Sequence, residues 1–118
     1  MTSTAELLLE AQLQQAGIPF EREYRFAPPR RWRADFALWQ FWRSPGWKDI
    51  EADILVEIDG GGYVAGRHSR GSGMEKDAEK QSAAAILGYR VIRCTPKQVN
   101  DGTALAWIKA ALGLEEAA

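Results

Sequence analysis

Apolar side chains recur at two different periods along this chain, and the period marks the elements. Alternation at every second position, the signature of a strand, runs through residues 20–26, 32–38, 52–59 and 89–94. Helical spacing runs through the N-terminal stretch, where Leu7, Leu8, Ala11 and Leu13 form a stripe, and through residues 74–87 and 103–112. Thr2 or Ser3 can cap the first helix, with Glu6 in its opening turn, and Gly17 with Pro19 ends it. Gly88 stands where the second helix needs a C-terminal cap. The order helix, three strands, helix, strand, helix predicts an α/β fold. The strand–helix–strand unit over residues 52–94 implies a parallel pair joined by a right-handed crossover. Residues 20–26 and 32–38 read as a hairpin, with Trp32, Ala34, Phe36 and Leu38 on one face and Arg33, Asp35 and Ala37 on the other. Residues 39–48 read as a loop around Ser44-Pro45-Gly46, and Thr95-Pro96 as a turn. Arg90 and Arg93 fall on a strand expected to be central.

The acids do not follow this pattern. Asp35 falls mid-strand between apolar neighbours, and Glu57 and Asp59 emerge from the third strand, whose other residues are core-like. Burying one unpaired carboxylate costs several kcal/mol, roughly. A bound cation would make such an arrangement favourable. If the second and third strands are neighbours, Asp35 and Glu57 lie side by side, and oxygen ligands of this kind suit Mg²⁺, with Mn²⁺ as a substitute. Residues 60–73 hold six glycines together with Arg67, His68 and Arg70. That is long for a plain connector. His68 could orient water or act as an acid–base group, and Lys80, or Lys76 one turn earlier, could stabilise charge on a phosphate in transfer. Glu10 borders the stripe of the first helix.

Composition narrows the reading. The 118 residues suit one domain over 1–118, 46% of them are hydrophobic, and the net charge is −1. The sum hides a local excess: residues 21–43 carry six arginines against three acids, a net +3. Arg30, Arg31 and Arg33 there, with Arg67, Arg70 and Lys76, are candidate phosphate contacts. The one cysteine, Cys94, excludes an internal disulfide and a cysteine-rich zinc site. No apolar run approaches the ~20 residues that span a bilayer, and the N-terminal stretch lacks the basic flank of a signal peptide. A cytoplasmic protein without membrane contact is expected.

The run Ala34-Asp35-Phe36, then LVEIDGG with a histidine downstream, then a charged helix leading to LGYRVIRCTPKQV, resembles the PD-(D/E)XK nuclease superfamily. Its look is nearest to the small branch related to very-short-patch-repair endonucleases. The resemblance covers about residues 24–99. It implies a restriction-endonuclease-like α-β-β-β-α-β-α core with a mixed four-stranded sheet flanked by helices. It also implies Asp35 as the first-strand acid, Glu57 as the acid of the half-motif, and Glu10 as a further acid in the first helix. Asp59 stands where many members carry lysine, so the lysine role must come from elsewhere, with Lys80 first in line. The catalytic set is then Asp35, Glu57, Asp59, His68 and Lys80, with Asp35, Glu57 and Asp59 as metal ligands.

The expected function is a Mg²⁺-dependent DNA endonuclease of structure-directed or nicking type, acting on junctions, flaps or mismatches, in a repair, recombination or phage setting. No nucleotide cofactor is implied. A homodimer would suit cleavage of both strands, with the aromatic stretch 39–47 as its contact. A catalytically inactive DNA- or protein-binding module on the same fold is the alternative, and the replacement of lysine by Asp59 is its best support.

Overall fold

Helices of this chain end on glycines, and two of those glycines set boundaries that matter for the site. In the computed structural model, which describes residues 3–59 and 71–114 (backbone alone at 71 and 72), helix α1 spans Thr4–Gln15. The Ser3 side chain accepts from the Glu6 amide and caps it. Gly17 and Gly88 adopt φ of 72° and 91°. At Gly88 the Gly88 and Tyr89 amides turn back onto the Ala85 and Ala84 carbonyls. This paired closure needs the left-handed residue that glycine supplies without strain.

Strands β1 (Glu21–Arg25) and β2 (Arg33–Leu38) form the expected hairpin. A 3₁₀ turn at Trp47–Asp49 leads to β3 (Ile54–Ile58), then α2 (Gly71–Ile86), β4 (Arg90–Cys94), α3 (Pro96–Asn100) and α4 (Thr103–Ala111). The sheet order is β1-β2-β3-β4, antiparallel except for the parallel β3–β4 pair. This is the mixed four-stranded sheet with flanking helices that the alternation predicts. Two details differ from expectation. Residues 96–100 form a short helix instead of a turn, because Thr95 and Gln98 build a capping box with Pro96 in the first turn. The strand carrying Arg90 and Arg93 is an edge strand, since β3 and not β4 lies between two partners.

The sheet separates two apolar clusters. One gathers Leu9, Leu13, Phe36, Leu38, Ile54, Val56, Val99 and Ile108 beneath α1, α3 and α4. The other gathers Phe26, Ala34, Ala37, Leu55 and Ala84 beneath α2. Along β3 the alternation is regular: Ile54 and Val56 enter the first cluster and Leu55 the second. The hairpin behaves differently. Phe20 and Phe36 pack with the first cluster, whereas Tyr24, Phe26, Trp32 and Ala34 pack with the second. In the register Arg22 pairs with Phe36 and Tyr24 with Ala34, so strict alternation would put both pairs on one face. The exchange of faces falls on the residues between, Glu23 and Asp35. Glu23 has φ of 52°, a left-handed backbone seldom adopted by a residue with a side chain. The expected grouping of Trp32 and Ala34 with Phe36 and Leu38 fails for this reason.

Trp107, an apolar residue of the helical stretch 103–112, is 42% exposed. In the 39–47 stretch Trp39 donates its indole N–H to the Ile50 carbonyl at 2.8 Å and meets Trp47 edge-on at 5.3 Å. These rings therefore pack on the protein itself, while Phe41 within the stretch and Ile50 just after it stay exposed. Among the described residues no helix is long and apolar enough to cross a membrane.

Candidate functional site

The β2–β3 ladder runs from Leu38–Ile54 to Phe36–Val56 and stops there. One more step of the same register would set Asp35 opposite Glu57. At that point the strands part, and the Ile58 amide, which has lost its strand partner, donates to the Asp35 carboxylate at 2.7 Å. An orphaned backbone donor is thereby satisfied by a side chain. Asp35 is half-buried, and burial is the main cause that pushes its pKa up from 3.8 to about 6. The Ile58 hydrogen bond opposes the rise, while the charges of Glu57, Glu6 and Glu23 add to it. Opposed effects of this kind arise where an acid faces other acids in a partly desolvated place.

Glu6 of α1, Glu23 of β1 and Asp35 of β2 each bring a carboxylate oxygen within 4.8 Å of the others. Three elements converge here for local reasons. Glu6 sits in the first turn of α1, held by its own cap: Ser3 Oγ donates to Glu6 Oε2 at 3.2 Å. Glu23 reaches the group because its left-handed backbone lies at the face exchange. Asp35 lies directly across the hairpin from it. On the other side of Asp35, Glu57 accepts from Lys80 Nζ of α2 at 2.7 Å. The same ammonium donates to the Arg33 carbonyl at 2.9 Å, so Lys80 ties α2 to the mouths of β2 and β3. Asp59, just past β3, pairs with Arg93 of β4 at 3.1 Å and is not one of the three converging acids. Between α2 and the ends of β3 and β4 lies a cavity of about 120 Å³, lined among others by Glu57, Asp59, Asp77, Lys80 and Arg93.

Of the sequence candidates, the structure thus brings Asp35, Glu57 and Lys80 to one end of the sheet. Glu10 is held by Arg22 at 2.6 Å, and the acid of α1 that meets Asp35 is Glu6, one turn earlier. Glu6 stood in the sequence as a capping-turn acid. Its signal was its place one turn from Glu10 on the same face. Glu23 carried no signal, because its direction depends on a backbone exception. Arg30 lies over the Trp32 ring at 4.4 Å and pairs with Glu79 of α2 at 2.9 Å, while Arg31, Arg33 and Lys76 are exposed. Arg67, His68 and Arg70 lie outside the described residues. Cys94 is buried, and burial raises its thiol to about 11, which leaves it an inert core group at neutral pH.

The donor set suits a hard divalent cation. All three converging groups are carboxylates, the site carries like charge in close quarters, and one member resists ionising. A small oxygen-loving ion such as Mg²⁺ or Mn²⁺ answers each of these.

No family model and no curated protein sequence matches the chain. Among solved structures it is similar to the catalytic domain of the homing endonuclease I-Bth0305I, with a TM-score of 0.62 and 20% sequence identity, over 98% of this chain and 100% of that one. The architecture described above, a mixed four-stranded sheet flanked by helices, is therefore one that a nuclease catalytic domain also adopts.

Proposed function

We propose that this chain is a metal-dependent endonuclease that hydrolyses phosphodiester bonds in DNA. The observation that carries the reading is the convergence of Glu6, Glu23 and Asp35 at the point where β2 and β3 part, with the Glu57–Lys80 pair on the far side of Asp35. The shared fold with a homing endonuclease catalytic domain supports it.

Asp35 would hold a Mg²⁺ or Mn²⁺ ion together with Glu6 and Glu23, while Glu57, held by Lys80, would stand on the other side of Asp35. Such an ion, when bound, supplies Lewis-acid polarisation of the phosphodiester and stabilises the leaving oxygen. The remaining work falls to the chain's own groups. The Ile58 amide fixes the Asp35 carboxylate and favours its charged form. Lys80, already at Glu57, places a positive charge beside the acids and is well placed to replace the motif lysine. Asp59, with its charge answered by Arg93, borders the cavity and helps to shape the approach. The basic hairpin tip, with exposed Arg31 and Arg33 beyond Asp35, lies at the same end of the sheet and would contact the phosphate backbone, joined by Arg30, Lys76, Arg67 and Arg70. His68 is the candidate acid–base group of the glycine-rich segment.

One site of this kind per chain suits nicking, or cleavage directed by structure at junctions, flaps or mismatches. Cleavage of both strands would call for a homodimer, for which exposed Phe41 and Ile50 are the candidate contact. Mg²⁺-dependent relaxation of supercoiled plasmid, abolished in Asp35→Ala and Glu57→Ala, tests the reading, and a panel of flap, fork and four-way junction assigns the substrate. Binding of these DNAs without any cleavage would replace it with the inactive binding module.

A further inference from the structure

We infer that Arg22 is the positioning residue of the acid site: it presents Glu6 to Asp35 and holds the cluster together. This rests on the nuclease reading above and says how the acids of that reading are kept in place.

The guanidinium spends its donors on three partners. Nη2 meets Glu6 Oε1 at 2.5 Å, Nη1 meets Glu10 Oε1 at 2.6 Å, and Nε donates to the Asp35 carbonyl at 3.2 Å. Its flat face lies 4.6 Å from the centre of the Phe36 ring. Arg22 therefore touches the backbone of one acid of the cluster and the side chain of another, and it precedes the third in sequence. The pair is well shielded, with Arg22 and Glu6 side chains 20% and 15% exposed. Glu10 and Phe36 fix the plane of the fork. The fork then fixes Glu6 Oε1, while Ser3 fixes Glu6 Oε2. Lysine cannot do this, since a single ammonium on a flexible stem lacks the planar, divergent donors that reach two carboxylates and a carbonyl at once. Arg22 also sets a positive charge against Glu6 and Glu10, so the acids can converge before a cation arrives.

The test is a double-mutant cycle in Mn²⁺ affinity, measured by titration calorimetry on wild type, Arg22→Lys, Glu6→Gln and the double variant, with circular dichroism to confirm folding. Arg22→Lys should weaken Mn²⁺ binding about tenfold, the loss expected from one misplaced charged ligand. Plasmid nicking at saturating Mn²⁺ should recover. In the Glu6→Gln background the same substitution should add almost nothing, because Arg22 acts through Glu6. Additive losses, or wild-type affinity in Arg22→Lys, would overturn the inference and leave the nuclease reading standing. A wild type with neither Mn²⁺ affinity nor nicking would overturn both. Should Arg22→Lys not fold, Arg22→Gln, which keeps a planar donor, takes its place in the cycle, where a non-additive loss supports the inference and an additive one overturns it.

Discussion

Asp35 accepts the Ile58 amide at 2.7 Å across the gap that opens when the β2–β3 ladder ends, so one carboxylate both finishes the sheet and heads the acid site. These two duties separate in an isosteric variant. Asp35→Asn keeps an oxygen for Ile58 but no charge for a cation. It should lose metal-dependent nicking by on the order of a hundredfold or more. It should also melt higher than wild type in chelator, because a half-buried charge facing other acids has been removed. Nicking assays and melts with and without Mn²⁺ check both halves.

The raised pKa of Asp35 sets a pH dependence whose sign can be worked out. The folded chain binds this proton up to about pH 6, the unfolded chain only to about 3.8. Between those values the folded state holds more protons, so the group's contribution to stability is complete below pH 3.8 and fades as pH rises through about 6. The loss is on the order of 1–3 kcal/mol. Denaturant unfolding in chelator across this window should show it, Asp35→Asn should flatten it, and Mn²⁺ at neutral pH should restore the lost stability.

Lys80 answers Glu57 from α2. Lys80→Met leaves that half-buried carboxylate without its partner and removes the positive charge beside the acids. Unfolding should become easier by about 1–2 kcal/mol, and nicking should fall by about a hundredfold. Lys76→Met on the same helix, an exposed side chain, should change stability by less than about 0.5 kcal/mol. Comparing melts and initial rates of the two variants assigns the lysine.

Gly88 closes α2 at φ of 91°, with open space around its Cα. Gly88→Ala should therefore cost about 1 kcal/mol through backbone strain alone, with no clash. Turnover should be unchanged at temperatures well below the melt. A melt shift without a rate change is the expected result of paired thermal and kinetic assays.

Much of the architecture was legible because β3, β4 and the long helices each obey one period from end to end, and β2 keeps enough of it on either side of Asp35 to read as a strand. Asp35 and Glu57 stood out for the reason that matters physically: they interrupt apolar alternation on strands with no spare polar surface. The exceptions were invisible for an equally physical reason. Which way Glu23 points depends on a left-handed residue that no propensity favours for glutamate. The choice between Glu6 and Glu10 turns on how Arg22 divides its donors, a tertiary contact. Trp107 is amphipathic spacing that the fold left at the surface.

The face exchange at Glu23 and Asp35 gives the hairpin two allegiances. Its half nearer Phe20 and Phe36 is moored to the layer under α1, its tip to the layer under α2. A side chain at the crossing belongs to neither interior and looks into the seam between them. Carboxylates can therefore occupy the middle of a strand here without being sealed in.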